Sequence, residues 1–193
     1  MLHRILILSS LLAVTAVAQA STIFDNTGDA LGTTFRSGAS TPALHITNTK
    51  ASSVTLNYVA FLGQIPVAQN LKFFLTDNSG TIIDSVADAY GATGTDSLVG
   101  HNVNWTLAPG QTYYIGAEFD GSTMDFRYGL SFPMQNGLQS GYNGNFSNYA
   151  SPAFNSNGGA DMSWQLQAVP EPTTMTALAF AGAGLLRRRR KSA

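Results

Sequence analysis

An all-β fold, an antiparallel β-sandwich of jelly-roll-like type, is predicted for residues 21–168 by three features of the chain. Short apolar stretches alternate with polar residues at a period of two. Clusters of Gly, Pro, Asn, Asp and Ser separate them at short intervals. No window repeats its apolar residues at the 3.6-residue spacing of an amphipathic helix of ordinary length. About eight to ten short strands joined by such turns make two packed sheets.

In chain order, Ala43 to Thr47 (ALHIT) alternates briefly and Ser53 to Phe61 (SVTLNYVAF) alternates at length, as half-buried strands do. Leu71 to Thr76 runs through the turn residues Asp77-Asn78-Ser79-Gly80 into Thr81 to Asp84, which predicts a hairpin. Asn102 to Leu107 precedes Ala108-Pro109-Gly110-Gln111, a turn with Pro at a favoured position, and Thr112 to Phe119 follows it. The stretch from Leu107 to Tyr113, with Pro109 and Gly110 inside it, resembles a hairpin common in extracellular β-sandwich modules. Asp120-Gly121 makes the next turn, Met124 to Phe132 the next strand, and Met162 to Ala168 the last. Met134 to Asp161 breaks the rhythm: 28 residues with 15 Asn, Gly or Ser and no Lys or Arg. It reads as a long loop laid over one face or end of the sandwich, pinned by Tyr142, Phe146, Tyr149 and Phe154.

The two ends are sorting elements. Residues 1–20 combine one charge at Arg4, an apolar run from Ile5 to Val17 and the small-x-small site Ala18-Gln19-Ala20. These are the three regions of a signal peptide cleaved after Ala20. Residues 169–193 hold three unlike elements in order. Pro170-Glu171-Pro172 favours an extended, solvated backbone. Thr173 to Leu186 is 14 residues without charge, a short hydrophobic helix of about 21 Å. A bilayer core of about 30 Å asks for more, although thinning and snorkelling side chains extend its reach. Arg187, Arg188, Arg189, Arg190 and Lys191 would remain on the cytoplasmic side by the positive-inside rule.

Pro-Glu-Pro, the short Gly/Ala/Leu run and the basic cluster together resemble the PEP-CTERM sorting signal of Gram-negative bacteria. The resemblance covers the tail and the accompanying signal peptide, not the body. It implies an exosortase as partner, a membrane-embedded cysteine protease-like sorting enzyme, with Pro170, Glu171, Pro172 and Arg187 to Arg190 as the recognised residues. It also implies transient anchoring in the inner membrane through 173–186, then processing near Pro-Glu-Pro. Release or attachment at the cell surface or in the extracellular matrix follows. Proteins with this signal are associated with exopolysaccharide and biofilm or floc matrix.

The body between the two ends carries four basic and ten acidic residues, hence −6. Phosphate backbones would repel it, so nucleic acid is not an expected partner. The chain has no Cys, which removes thiol catalysis, disulfides and cysteine-based metal centres. Tyr142, Asn143, Asn145, Phe146 and Tyr149 are the best ligand candidates, with Asn148 and Phe154 beside them. Rings offer a face to the C–H side of a sugar and amides bond its hydroxyls. Anchoring the loop on the sheet is the competing role for the same rings. Asp25 and Asp29 could offer oxygens to calcium, though Asx residues beside Gly more often make a turn. His45 and His101 lack partners at zinc-ligand spacing. Glu118, the body's one Glu, could pair with Asp120 or Asp125 as a glycosidase couple, but reads better as a strand residue. No cofactor and no enzymatic activity are expected. The reading is an exported, non-enzymatic structural or adhesive matrix protein; the alternative is a carbohydrate-binding module for the exopolysaccharide.

Overall fold

Among the described residues of the computed structural model every strand pairing is antiparallel, and each sheet buries one face against the other. The structure describes residues 20–29, 34–37, 41–129, 132–157 and 161–169, with fourteen strands among them. Residues 1–19 of the expected signal peptide, Pro170-Glu171-Pro172, the hydrophobic helix at 173–186 and the basic cluster lie outside the described residues. The residues from Ala20 to Val169 form one compact unit.

The first sheet contains β1 (Ser21–Asp25), β2 (Thr34–Ser37), β4 (Val54–Gln64), β7 (Ser97–Leu107), β9 (Met124–Gly129), β13 (Asp161–Met162) and β14 (Trp164–Ala168). β14 lies between β1 and β4, and β7 takes the other edge of β4. β9 continues beside β4 at Gly63 and Gln64 and carries β2 and β13. The second sheet contains β3 (Thr41–Asn48), β5 (Gln69–Asp77), β6 (Ile82–Tyr90), β8 (Thr112–Phe119), β10 (Met134–Gln135), β11 (Leu138–Ser147) and β12 (Ala153–Asn157). Its order is β10-β11-β3-β8-β5-β6, with β12 also on β11.

Alternation decides what lies between the sheets. Leu44 and Ile46 of β3, Leu71, Phe73 and Leu75 of β5, and Ile115 and Ala117 of β8 point inward. They meet Leu56, Val59 and Phe61 of β4 and Trp164 and Leu166 of β14. Rings hold the centre: Phe61 lies 5.8 Å from Trp164 and 6.0 Å from Phe73. Each such Leu, Ile, Val or Phe side chain contributes about 1.5–3 kcal/mol by leaving water.

The hairpin at residues 71–84 forms as expected, β5 pairing β6 with a register shift between Leu75 and Thr76 and Gly80 N–H donating to Asp77 O at 3.1 Å. Ala108 to Gln111 is a turn, with Gly110 at φ 67° and Gln111 N–H donating to Ala108 O at 3.3 Å. It is not a hairpin, however. β7 belongs to the first sheet and β8 to the second, so the turn is a corner between them. Leu107 and Tyr113 both face the core there, and the Tyr113 hydroxyl accepts from Ala108 N–H at 2.9 Å. Tyr113→Phe keeps the ring and orphans that amide. Urea unfolding is expected to show a loss of about 1–2 kcal/mol, and an unchanged midpoint would remove the bond from the corner's stability.

Met134 to Asp161 is not a loop. It supplies β10, β11, β12 and β13. Asn136 and Gly137, at φ 49° and 76°, form the two-residue turn joining β10 to β11. Backbone ladders to β3 and β12 take up the polar groups that a structureless segment of this length would leave to water. The part of the expectation that holds is the covering of a face. β8 and much of β5 are buried on both sides, and that requires a cover over the second sheet.

Candidate functional site

The cover is built from rings. Ala43, Phe74, Tyr114 and Phe146 form a second buried cluster, with Phe154 packed against it. Phe146 meets Phe74 edge-on at 4.9 Å, and Phe154 lies 5.3 Å from both Phe146 and Tyr114. The chain between β11 and β12 is pinned by Lys72, whose Nζ donates to Tyr149 O at 2.6 Å and Ala150 O at 3.0 Å. The same ammonium sits 4.8 Å from the centre of the Tyr149 ring.

This geometry redistributes the expected ligand residues. Phe146 is fully buried, so its ring offers no face to a sugar and serves as core. Tyr149 is half-buried with its ring against Lys72. Asn145 is half-buried in β11, opposite Pro42 and Ser156. Asn148, at φ 77°, turns its own chain by accepting from Ala150 N–H at 3.1 Å. Tyr142 and Asn143 fall at the register shift between Gly141 and Gly144; their side chains lie outside the described residues.

Asp25 ends β1 with both carboxylate oxygens engaged. Oδ1 accepts from Thr27 N–H at 2.9 Å and the Thr27 hydroxyl at 2.6 Å, and Oδ2 accepts from Gln165 at 3.0 Å. Burial pushes its pKa up, but the bonds from Thr27 and Gln165 outweigh that and hold it below the usual value. The Asp29 side chain lies outside the described residues. Among the described residues no three His, Asp or Glu side chains gather as a metal site would require.

The histidines are far apart in the fold. His45 lies half-buried on the outer face of the second sheet, 5.1 Å from the Tyr114 ring, and burial lowers its pKa. His101 is at the rim of the inner core, 6.3 Å from Phe73, with Nε2 3.6 Å from Asp88. Glu118 and Asp125 belong to different sheets, and Asp120 is taken by Asn70, whose N–H and Nδ2 donate to it at 2.8 and 2.6 Å.

The outer face of the first sheet holds a grouping that sequence reasoning does not find. Tyr58 of β4 stands opposite Asn102 of β7 and Gln167 of β14, and Gln167 stands opposite Thr22 of β1. Directly opposed residues share a face, so these four form one row across four strands. The next row is Gly100, Ala60, Gln165 and Asp25. A Cβ on Gly100 would fall 2.5 Å from the Tyr58 hydroxyl, so the tyrosine lies along the sheet toward β7 rather than standing out from it. Gln167 donates to Gln165 at 3.3 Å, and Gln165 to Asp25. Burial raises the Tyr58 pKa and keeps its hydroxyl protonated. The result is a half-buried ring edged by amides and hydroxyls, with one carboxylate in the neighbouring row. Its one signal in the sequence is the alternation at Thr55-Leu56-Asn57-Tyr58, which by itself points only to a core pattern.

No match to the chain is found among curated proteins. The tail does match: residues 168–191 fit the PEP-CTERM protein-sorting motif, beginning at the last residue of β14. The C-terminal tail of this chain is therefore a PEP-CTERM protein-sorting motif, which implies an exported protein sorted by an exosortase.

Proposed function

We propose that this is a cell-surface or extracellular-matrix protein of a Gram-negative bacterium, with a non-enzymatic structural or adhesive role in an exopolysaccharide or biofilm matrix. The observation that carries the reading is the sorting motif on an otherwise β-rich chain. The signal-peptide pattern of residues 1–20 supports it, with cleavage after Ala20 releasing a domain whose first strand starts at Ser21. The jelly-roll-like description is supported by chain segments that cross between the sheets, as from β3 to β4, β4 to β5 and β7 to β8.

A carbohydrate-binding reading is favoured by one observation, the Tyr58 row. A ring lying along the sheet offers its face to the C–H side of a sugar, and Asn102, Gln167 and Thr22 bring hydroxyl-matching groups beside it. The test of both readings is co-sedimentation of residues 21–169 with the producer's exopolysaccharide, with and without EDTA. Saturable binding weakened about tenfold by Tyr58→Ala makes the domain a matrix lectin reading through this face. Saturable binding lost with Tyr149→Ala and kept with Tyr58→Ala returns the site to the β11–β12 connection. Loss in EDTA calls for a calcium site at Asp25 and Asp29. No binding at any concentration removes the lectin reading and leaves a displayed structural protein.

A further inference from the structure

We propose that the ladder between β1 and β14 couples processing of the tail to folding, so that an exosortase acts on the sorting motif only while the end of β14 is unpaired. The proposal rests on the reading that an exosortase processes the tail. The processing step is cleavage of a peptide bond, its acyl group passing to water or another nucleophile while the amine leaves on the membrane-side fragment.

The sorting motif does not follow a linker. It begins at Ala168, which is 5 % exposed and is paired with Ser21 on one side and Leu56 on the other. Val169, 43 % exposed, is the single residue between that strand and Pro170. One extended residue gives about 3.3 Å of slack, less than the spacing of about 4.8 Å between neighbouring strands. A protease that grips an extended chain ahead of the scissile bond needs several residues whose backbone is free. For a bond at Val169–Pro170 those residues are Leu166 to Val169, and strands flank Leu166, Gln167 and Ala168 on both sides.

The flanking strand β1 is itself clamped. The Gln135 side chain accepts from Asp25 N–H at 2.9 Å and donates to Asp25 O at 2.7 Å, and Asn136 donates to Ile23 O at 2.8 Å. Just beyond β1, the buried Asn26 donates to Met162 O at 2.8 Å and accepts from Trp164 N–H at 2.7 Å. Phe24 of β1 is fully buried in the core. Peeling the end of β14 therefore disturbs an interlocked set rather than a loose terminus. Ser21, the first residue after the expected signal-peptide cleavage, stands opposite Ala168, so the chain enters and leaves the domain at one end of one ladder. The processing rate then follows the population with this end open, in nascent chains or by local fraying.

The experiment is a pulse-chase of the full-length precursor in exosortase-bearing cells, reading loss of the tail by mass. Four chains are compared: the parent, a six-residue Gly/Ser spacer between Val169 and Pro170, Phe24→Ala, and Phe74→Leu. The spacer lies outside the strands and leaves the fold alone. It is expected to speed processing about fivefold or more, because the motif then no longer waits for the ladder to open. Phe24→Ala loosens β1 and is expected to speed it as well. Phe74→Leu weakens the second cluster on the other sheet and is expected to leave the rate within about twofold of the parent. A spacer variant processed at the parent rate overturns the proposal, as does equal acceleration by Phe74→Leu and Phe24→Ala. A parent chain that is never processed, in cells that process another PEP-CTERM substrate, overturns the exosortase reading beneath it.

Discussion

Trp164→Ala is expected to cost the domain about 3–5 kcal/mol, enough to consume much of the stability of a domain this size. The indole is fully buried on β14 and lies edge-on to Phe61 of its own sheet and Phe73 of the other, at 5.8 and 6.4 Å. It is the wedge where the two sheets meet. Alanine would remove the apolar area and leave a cavity that strands held by ladders on both sides cannot close. The backbone bonds of Trp164 to Asn26 survive the change, so the loss reports packing rather than hydrogen bonding. Urea unfolding measures it as a shift of midpoint at constant slope. A loss under about 1 kcal/mol would mean that the sheets do not depend on this contact.

Glu118→Gln is expected to stabilise the protein at pH 8 by about 3 kcal/mol and to remove a pH dependence. Glu118 is 4 % exposed on the outer face of the second sheet, beneath the cover, and stands directly opposite Lys72. Lys72 gives its ammonium protons to Tyr149 and Ala150, and Glu118 Oε1 has no hydrogen-bond partner among the described residues. Burial pushes the carboxyl up from 4.5 to about 7, partly offset by Thr41. The folded state thus holds a proton that the unfolded chain releases near pH 4.5. Stability from this group is fully present below pH 4.5 and is lost as pH rises toward about 7. The span from 4.5 to about 7, at about 1.4 kcal/mol per unit, gives the figure of about 3 kcal/mol. Glutamine keeps the shape without the titration. His45, with its pKa lowered by burial, titrates in the opposite sense, so the comparison is variant against parent at each pH. Equal stability differences at pH 4 and pH 8 would show that Glu118 is not buried as a neutral acid.

Several elements are legible in the residues alone. Val54 to Phe61, Leu71 to Asp84 and Thr112 to Phe119 are strands because alternation leaves one face to bury, and the Asp77 to Gly80 turn sets the hairpin register. Pro109-Gly110 marks its turn correctly. Which strands that turn joins is not legible, because β7 pairs with β4, and β8 with β3 and β5, all more than about thirty residues away. The Met134–Asp161 segment misleads for a different reason. Its Asn, Gly and Ser content suits turns, yet the ladders to β3 and β12 override propensity. The Asn136-Gly137 dipeptide is the available hairpin signal within it.

The candidate site divides the same way. Phe146 and Tyr58 are both aromatic residues among polar neighbours, and local pattern ranks the first above the second as a ligand residue. The fold reverses them: Phe146 falls between Phe74 and Phe154, whereas Tyr58 lies along an outer face beside Asn102 and Gln167.

By itself the sequence determined the β-rich class, the acidic body and the sorting tail, because alternation, charge and a terminal motif are local properties of the chain. Only the tertiary structure decided which rings are core, that Glu118 is buried opposite Lys72, and that the sorting motif begins inside a strand pinned at Ser21. Those are facts of long-range pairing, and pairing is chosen by the burial of faces that no single segment contains.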